Sequence, residues 1–450
     1  MCGVFGIVSN RDIAAKAIPL GLYDLQERGE QGAGIVVFNG KEYLVKKGEG
    51  LVTSVFPEAR LKNVKGNIGI GHTRYSTIGD LERKEISLNI QPLEGRFQGE
   101  PFFVGHNGNL VEFDPLKKEA EERGYQFRTT SDTEVIIGLL STFTKGDFLE
   151  ALLDVLPRLK GSFSLVILYR NKVIGVRDRF GIRPLCFGRD EASFMIASES
   201  CAFYTLRGRF LFDIKPGEII ILNENGIEKR FIWAEDPQHK LCIFEFIYFA
   251  RPDSTIDGKS VYFYRENAGR LLAKEHPVEA DIIIPVPESG RIYDLGFSHE
   301  SGIPVEGALI RSRYHAGRTF LAPRGTDRRS MQRIKIHPIR KVVHDRKAII
   351  TEDSIIRGNV SPEIVAMLRE AGAREIHLRV GSSPIRFPCH LGIDMPTKSE
   401  LIASSLTVEE VRMFIEADTL GYLMIDAMVE ASGFKKEELC LCCFNGECPR

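Results

Sequence analysis

The hydrophobic pattern of this chain changes its period once, and that change limits the folds open to it. Before it, apolar residues fall in short β-like runs punctuated by Gly and Asn: Gly34–Phe38, Ile68–His72, Phe102–His106, Ser164–Tyr169, Lys172–Val176 and Glu218–Leu222. Helical patterns over Ile13–Gln26 and Thr133–Thr144 are interspersed. This is the signature of a sheet-dominated α+β domain built as stacked layers. The pattern breaks over Phe231–Leu241, at the charged, Pro-containing stretch AEDPQHK. Beyond the break, Ala280–Pro285 and Lys347–Thr351 read as buried strands. Pro362–Ala371 reads as an amphipathic helix with Pro in its first turn and Gly372 at its end, and Glu375–Val380 as the next strand. Strand, loop, helix, strand is a βαβ unit of a parallel sheet. A chain of 450 residues also exceeds what one core comfortably serves. Two domains are therefore expected, 2–235 and 236–450.

Composition excludes several classes. The apolar and charged fractions, 43% and 27%, are those of an ordinary globular protein. A formal net charge of −1 gives no bulk field toward nucleic acid or an anionic membrane. No apolar run approaches the roughly 20 residues that span a bilayer, and the N-terminus MCGVFGIVSN lacks the basic region of a signal peptide. These features predict a cytoplasmic protein. Nine cysteines are too few for a disulfide scaffold. Yet Cys440, Cys442, Cys443 and Cys448 crowd the last eleven residues, and in a reducing compartment such crowding points to a metal or iron–sulfur centre.

Four short segments of the front domain carry chemistry. Removal of Met1 would leave the Cys2 thiol beside a free α-amino group, which can serve as its base; the plain alternative is a buried cysteine in a strand. GHTRYSTIG (Gly71–Gly79) places Arg74 after a strand, where a guanidinium can grip a carboxylate in two places. HNGNL (His106–Leu110) puts Asn107 and Gly108 at a strand end, as an oxyanion hole or as an Asn-Gly turn. TTSDTEV puts Asp132 at a helix start, as an ammonium partner or as an N-cap. Together these groups suit an α-amino acid facing a thiolate.

In the back domain, TEDSIIRGNVS (Thr351–Ser361) follows a strand and precedes a helix. That is where backbone N–H groups cradle phosphate. Glu352 and Asp353 open the loop, and adjacent carboxylates there suit ribose hydroxyls and Mg²⁺ or, more plainly, an acidic turn.

Read in order, MCGVFGI, GHTRYST, HNGNL, SDTEV, GSFSLVIL, RFGIRPL and ASESCAF resemble the glutamine phosphoribosylpyrophosphate amidotransferase (amidophosphoribosyltransferase) family almost end to end. The resemblance implies a four-layer αββα N-terminal-nucleophile glutaminase followed by an α/β type I phosphoribosyltransferase domain. It implies Cys2 as nucleophile once Met1 is removed, Asn107 and Gly108 as oxyanion hole, and Arg74 and Asp132 as the glutamine clamp. Glu352, Asp353, Ser354, Arg357 and Gly358 would form the phosphoribosylpyrophosphate loop. PVPESGR would be the pyrophosphate loop, with Ser289 joining Glu352 and Asp353 around Mg²⁺, and Arg311 would stand where the family has Lys. The basic stretch through Arg318, Arg328, Arg333 and Lys335 resembles a lid, with one residue more than the common spacing between Tyr314 and Arg318. One branch of the family carries a 4Fe–4S cluster, and the resemblance gives Cys242, Cys389, Cys440 and Cys443 as its ligands; four thiolates would also hold zinc. Cys442 and Cys448 are additional.

The implied reaction is the first step of de novo purine synthesis: ammonia from glutamine displaces pyrophosphate to give 5-phosphoribosylamine. A homotetramer inhibited by purine nucleotides is implied too, with no nucleic acid or membrane partner. The chain departs from the family text at several places. Glu27, Glu30 and Gln31 surround Arg28 and Gly29. Glu288 and Glu352 replace Asp, Arg291 adds a cation, and Asn359 and Val360 stand for two Thr. Each hydroxyl donor lost from a phosphate loop is worth roughly 1.5–3 kcal/mol. These departures keep open a paralogue with another phosphorylated acceptor. A non-catalytic nucleotide-binding regulator is the other alternative.

Overall fold

The computed structural model describes residues 1–75, 83–311, 336–395 and 397–449. In the front half, alternation along the strands builds two sheets that share one core. The first has seven antiparallel strands in the order Arg209–Asp213, Cys186–Arg189, Ser193–Ala197, Gly3–Ser9, Ile68–Arg74, Gly32–Phe38, Tyr43–Glu49. The second has six: Gly226–Ile232, Glu218–Asn223, Lys172–Arg177, Gly161–Tyr169, Glu100–Leu110, Leu93–Phe97. Val4, Ile68, Ile70, Phe103, Val166 and Ile220 meet between the sheets. The residues of opposite parity turn outward, as the period of two requires. Phe5 and Ile7 lie under the helix Ala14–Asp24. Phe102 and Val104 lie under the helices Thr133–Ser141 and Phe148–Val155. The result is the four-layer αββα sandwich. The sheets approach closely at Gly6, where a Cβ would sit 2.7 Å from Val166 Cγ1.

The back half is a parallel sheet ordered Ile282–Pro285, Lys347–Glu352, Glu375–Val380, Thr419–Tyr422. Both faces are covered, as a parallel sheet needs. Ile283 and Ile349 pack with residues of the helix Val261–Glu275 and with Tyr293 and Phe297 of the helix Arg291–Ser301. Ile282, Ile350 and Leu378 pack under the helices Ser361–Glu370 and Val408–Ile415. Among the described residues no helix is long and apolar enough to cross a membrane.

Two expectations change in detail. HNGNL does not end a strand: Glu100–Leu110 runs straight through it, pairing Asn107 with Ser164 and Gly108 with Phe163. Gly108 makes this possible by adopting φ 154°, where a Cβ would lie 2.0 Å from the Ser162 carbonyl oxygen. The helix expected over Thr133–Thr144 ends at Ser141. The lid residues Tyr314, Arg318, Arg328, Arg333 and Lys335, and the end of GHTRYSTIG from residue 76 on, lie outside the described residues.

Candidate active sites and the cysteine cluster

Strand parity assembles the front site. Ile68 and Ile70 face the inter-sheet layer, so His72 and Arg74, on the same side of the strand, do too. Phe103 faces that layer from the other sheet, and Asn107 follows it at the same parity. Cys2 stands one residue before the central strand, 6% exposed, with its Sγ 3.6 Å from the Tyr75 carbonyl oxygen. A cavity of about 1580 Å³ opens there, and Cys2, Arg74, Gly108 and Asp132 all line it. Arg74 Nη1 donates to the Asn89 carbonyl at 3.1 Å, which fixes one side of its guanidinium. Asp132 is indeed an N-cap: it accepts from Thr133 N at 2.9 Å, and from Leu110 N at 2.7 Å. Those bonds hold the carboxylate at the cavity wall. Asn107 is fully buried, and neither atom of its amide group has a protein partner. A buried amide without partners is costly unless a ligand completes it.

Two buried residues near Cys2 carried no role in the sequence reading. Arg28, 1% exposed, donates from Nε to the Cys2 carbonyl at 3.0 Å and pairs with Glu199 at 2.5 Å and Glu245 at 3.0 Å. Burial opposes its charge, but Glu245 and Glu199 hold it ionised. His72 is wholly buried, and burial pushes its pKa down to about 3, so the ring is neutral. Its Nε2 lies 3.1 Å from the His106 carbonyl oxygen and therefore carries the proton, donating to the peptide just before Asn107. His72 at the end of an apolar strand run was an available signal, whereas Arg28 sits among Gln26, Glu27, Glu30 and Gln31 and gave none.

The back site forms at the C-terminal ends of the parallel strands, where open α/β sheets place ligands. Glu352 ends its strand, and Asp353, Ser354, Arg357 and Gly358 follow before the helix Ser361–Glu370. Burial, then the neighbouring Asp353, pushes Glu352 up to about 8; its Oε1 has no protein partner. Asp353 is also raised by burial, against hydrogen bonds from Ser289 and Ser354. The Ser289 bond joins the two loops. Adjacent carboxylates that are costly to ionise unaided, with an orphaned oxygen and a hydroxyl beside them, fit a hard dication such as Mg²⁺. Arg357 is turned to Glu400, with Nη2 to Oε2 at 2.5 Å. Asn359 is exposed, and so is Val360. Arg311 is exposed at the end of the strand Leu309–Arg311, and no described contact brings it to the loop.

The cysteines gather where the two halves meet. Leu241–Cys242 pairs in parallel with Leu439–Cys440, setting Cys242 opposite Cys440. The Cys443 carbonyl accepts from Arg386 N and Phe387 N, two residues before the segment with Cys389. All four of these thiols are buried. Burial pushes Cys242 up to about 11 and raises Cys440 and Cys443 further, and their neighbouring cysteines add to it. Four buried thiols, of which Cys242, Cys440 and Cys443 resist ionisation alone, are a donor set that metal cations would stabilise as thiolates, which fits an iron–sulfur cluster or zinc. The buried guanidinium of Arg183 faces Cys242 and Cys389. Cys442 and Cys448 form a disulfide separate from the four.

Comparison with known proteins agrees with both halves. A family profile described as a glutamine amidotransferase domain matches residues 74–205. An amidophosphoribosyltransferase from Methanocaldococcus jannaschii is 44% identical over all of this chain and 98% of its own length. The amidophosphoribosyltransferase of Mycobacterium tuberculosis is 41% identical, over all of this chain and 86% of its own. Among solved structures, the glutamine phosphoribosylpyrophosphate amidotransferase from B. subtilis complexed with ADP and GMP superposes with a TM-score of 0.91 at 40% identity. That match covers 100% of this chain and 97% of the other. The chain belongs to the amidophosphoribosyltransferase family.

Proposed function

We propose that this chain takes ammonia from glutamine at the front cavity and uses it to displace pyrophosphate from phosphoribosylpyrophosphate, forming 5-phosphoribosylamine and glutamate. The observation that carries this reading is the convergence of Cys2, Arg74, Gly108 and Asp132 on one cavity. That set is complementary to an α-amino acid with a reactive side-chain amide. With Met1 removed, the α-amine accepts the Cys2 thiol proton and the thiolate attacks the glutamine side-chain carbonyl. Asn107 and the Gly108 N–H stabilise the oxyanion, Arg74 holds the α-carboxylate, and Asp132 holds the α-ammonium. Ammonia leaves, and water hydrolyses the thioester to glutamate. At the back site Glu352 and Asp353 hold ribose hydroxyls, while Ser354, Gly358 and the helix N-terminus hold the 5′-phosphate. Arg357, once it leaves Glu400, and Arg311 would supply positive charge toward the substrate. Ser289, Glu352 and Asp353 would hold Mg²⁺, which supplies charge neutralisation for the pyrophosphate when bound.

Cys242, Cys389, Cys440 and Cys443 would hold a 4Fe–4S cluster as a structural crosslink between the tail and the body. We take 2–235 and 236–450 as the two working domains. A purine-nucleotide-inhibited, cytoplasmic homotetramer completes the reading. The B. subtilis neighbour's complex with ADP and GMP supports nucleotide binding.

The test is anaerobic pyrophosphate release from phosphoribosylpyrophosphate with Mg²⁺ and either glutamine or ammonia. Release with both is expected, and Cys2→Ala should lose only the glutamine-driven rate. Glutamine hydrolysis without pyrophosphate release from either nitrogen source would instead favour a different acceptor.

A further inference from the structure

The helix Arg291–Ser301 buries an acid that the proposed mechanism does not use. Asp294 is 0% exposed; its N–H donates to the Gly290 carbonyl at 3.0 Å, and its carboxyl group has one partner among the described residues, Thr351, whose Oγ1 lies 2.6 Å from Asp294 Oδ1. Asp294 Oδ2 has no partner. Thr351 is equally buried and stands immediately before Glu352 and Asp353. Its Oγ1 also lies 3.2 Å from the Gly290 carbonyl oxygen, one residue after Ser289. The approach is tight, since a Cβ on Gly290 would sit 2.5 Å from the Thr351 carbonyl oxygen. Three buried oxygens thus share a line between the two substrate loops.

A count of protons decides how the line is satisfied. Thr351 has one hydroxyl hydrogen, and the Gly290 carbonyl can only accept. An ionised Asp294 would take that hydrogen and still leave a buried carboxylate oxygen bare, an arrangement that costs several kcal/mol. A protonated Asp294 donates to Thr351 Oγ1, which donates onward to the Gly290 carbonyl; every donor is used, and the oxygen left without a partner, Oδ2, carries no charge. Burial favours the same neutral form.

We infer that Asp294 is a positioning residue, a neutral acid whose relay through Thr351 to Gly290 fixes the pyrophosphate loop against the phosphoribosyl loop. This rests on the proposed reading of the back site. Asp294 touches no substrate; it sets the spacing between Ser289 and the Glu352–Asp353 pair.

The experiment compares KM for phosphoribosylpyrophosphate in ammonia-driven pyrophosphate release, with thermal unfolding in parallel. Asparagine carries an N–H that can replace the acid's O–H, so Asp294→Asn should keep KM within about twofold of the parent. Asp294→Ala and Thr351→Val break the line and should raise it about tenfold or more, with kcat changed less. Thr351→Ser, which keeps the hydroxyl, should behave as the parent. An Asp294→Ala protein with parental KM would overturn the inference, and so would an Asp294→Asn protein as impaired as Asp294→Ala. If Asp294→Ala fails to fold, the Thr351→Val and Thr351→Ser pair decides by the same KM criterion. Absence of pyrophosphate release by the parent chain would instead remove the function on which the inference rests.

Discussion

Replacing Arg28 by Met tests whether the buried ion cluster both holds the sandwich to the back half and seats Cys2. Methionine roughly fills the space but removes every donor. Glu199 and Glu245 are both buried, 1% and 0% exposed, so each loses its main counter-charge where water cannot replace it. Removing one partner of such a buried pair costs about 3–5 kcal/mol. For a domain of this size that corresponds to a fall in melting temperature of about 6–20 °C. The Cys2 carbonyl also loses its 3.0 Å donor, so glutamine-driven turnover should fall much further than ammonia-driven turnover. Calorimetry and the paired pyrophosphate assays read the two effects separately. The reasoning also predicts a partial rescue. Adding Glu245→Gln to Arg28→Met removes one stranded charge and should recover about half of the lost stability. An Arg28→Met protein that melts within about 2 °C of the parent and keeps its glutamine-driven rate would refute the account.

Three further outcomes follow from the same geometry. Gly108→Ala must fit a Cβ 2.0 Å from the Ser162 carbonyl oxygen at φ 154°, so it should cost more than about 2 kcal/mol and abolish glutamine hydrolysis, as denaturant unfolding and glutamate production would register. His72 titrates near 3 in the fold but near 6.5 unfolded, so its contribution is fully present above pH 6.5 and is lost as pH falls. Between pH 6.5 and 5 the stability advantage of the parent over His72→Gln should shrink by about 2 kcal/mol, measurable by urea titration at each pH. If the proposed cluster is present, Cys389→Ala removes one of its four thiol ligands and should abolish the visible absorbance expected of the anaerobically purified protein, whereas Cys442→Ala, outside the four, should leave it intact.

The layers were legible because alternation is local: Phe102, Val104 and Phe103 declare their faces without reference to any distant residue. The same locality placed Asp132 at a helix start and Glu352 at a strand end. What escaped was set by partners far along the chain. Asn107 was read as a strand end because Asn-Gly signals a turn, yet its pairing with Ser164 carries the strand onward. Arg28 meets Glu245 across 217 positions, a contact that no window of sequence contains. Asp294 looks like one more polar residue on an amphipathic helix until Thr351 is seen above it.

The pairing of Leu241–Cys242 with Leu439–Cys440 also bears on the order of events during synthesis. The strands of the front sandwich and of the parallel sheet all precede Leu439–Cys440 in the chain. During synthesis residues 241 and 242 therefore wait, at the seam between the halves, until residues 439 and 440 have been made. Until that moment a prematurely truncated or stalled chain displays an open strand edge and bare thiols. An unpaired edge of this kind is a template for pairing with another chain, so this late pairing also removes an aggregation hazard.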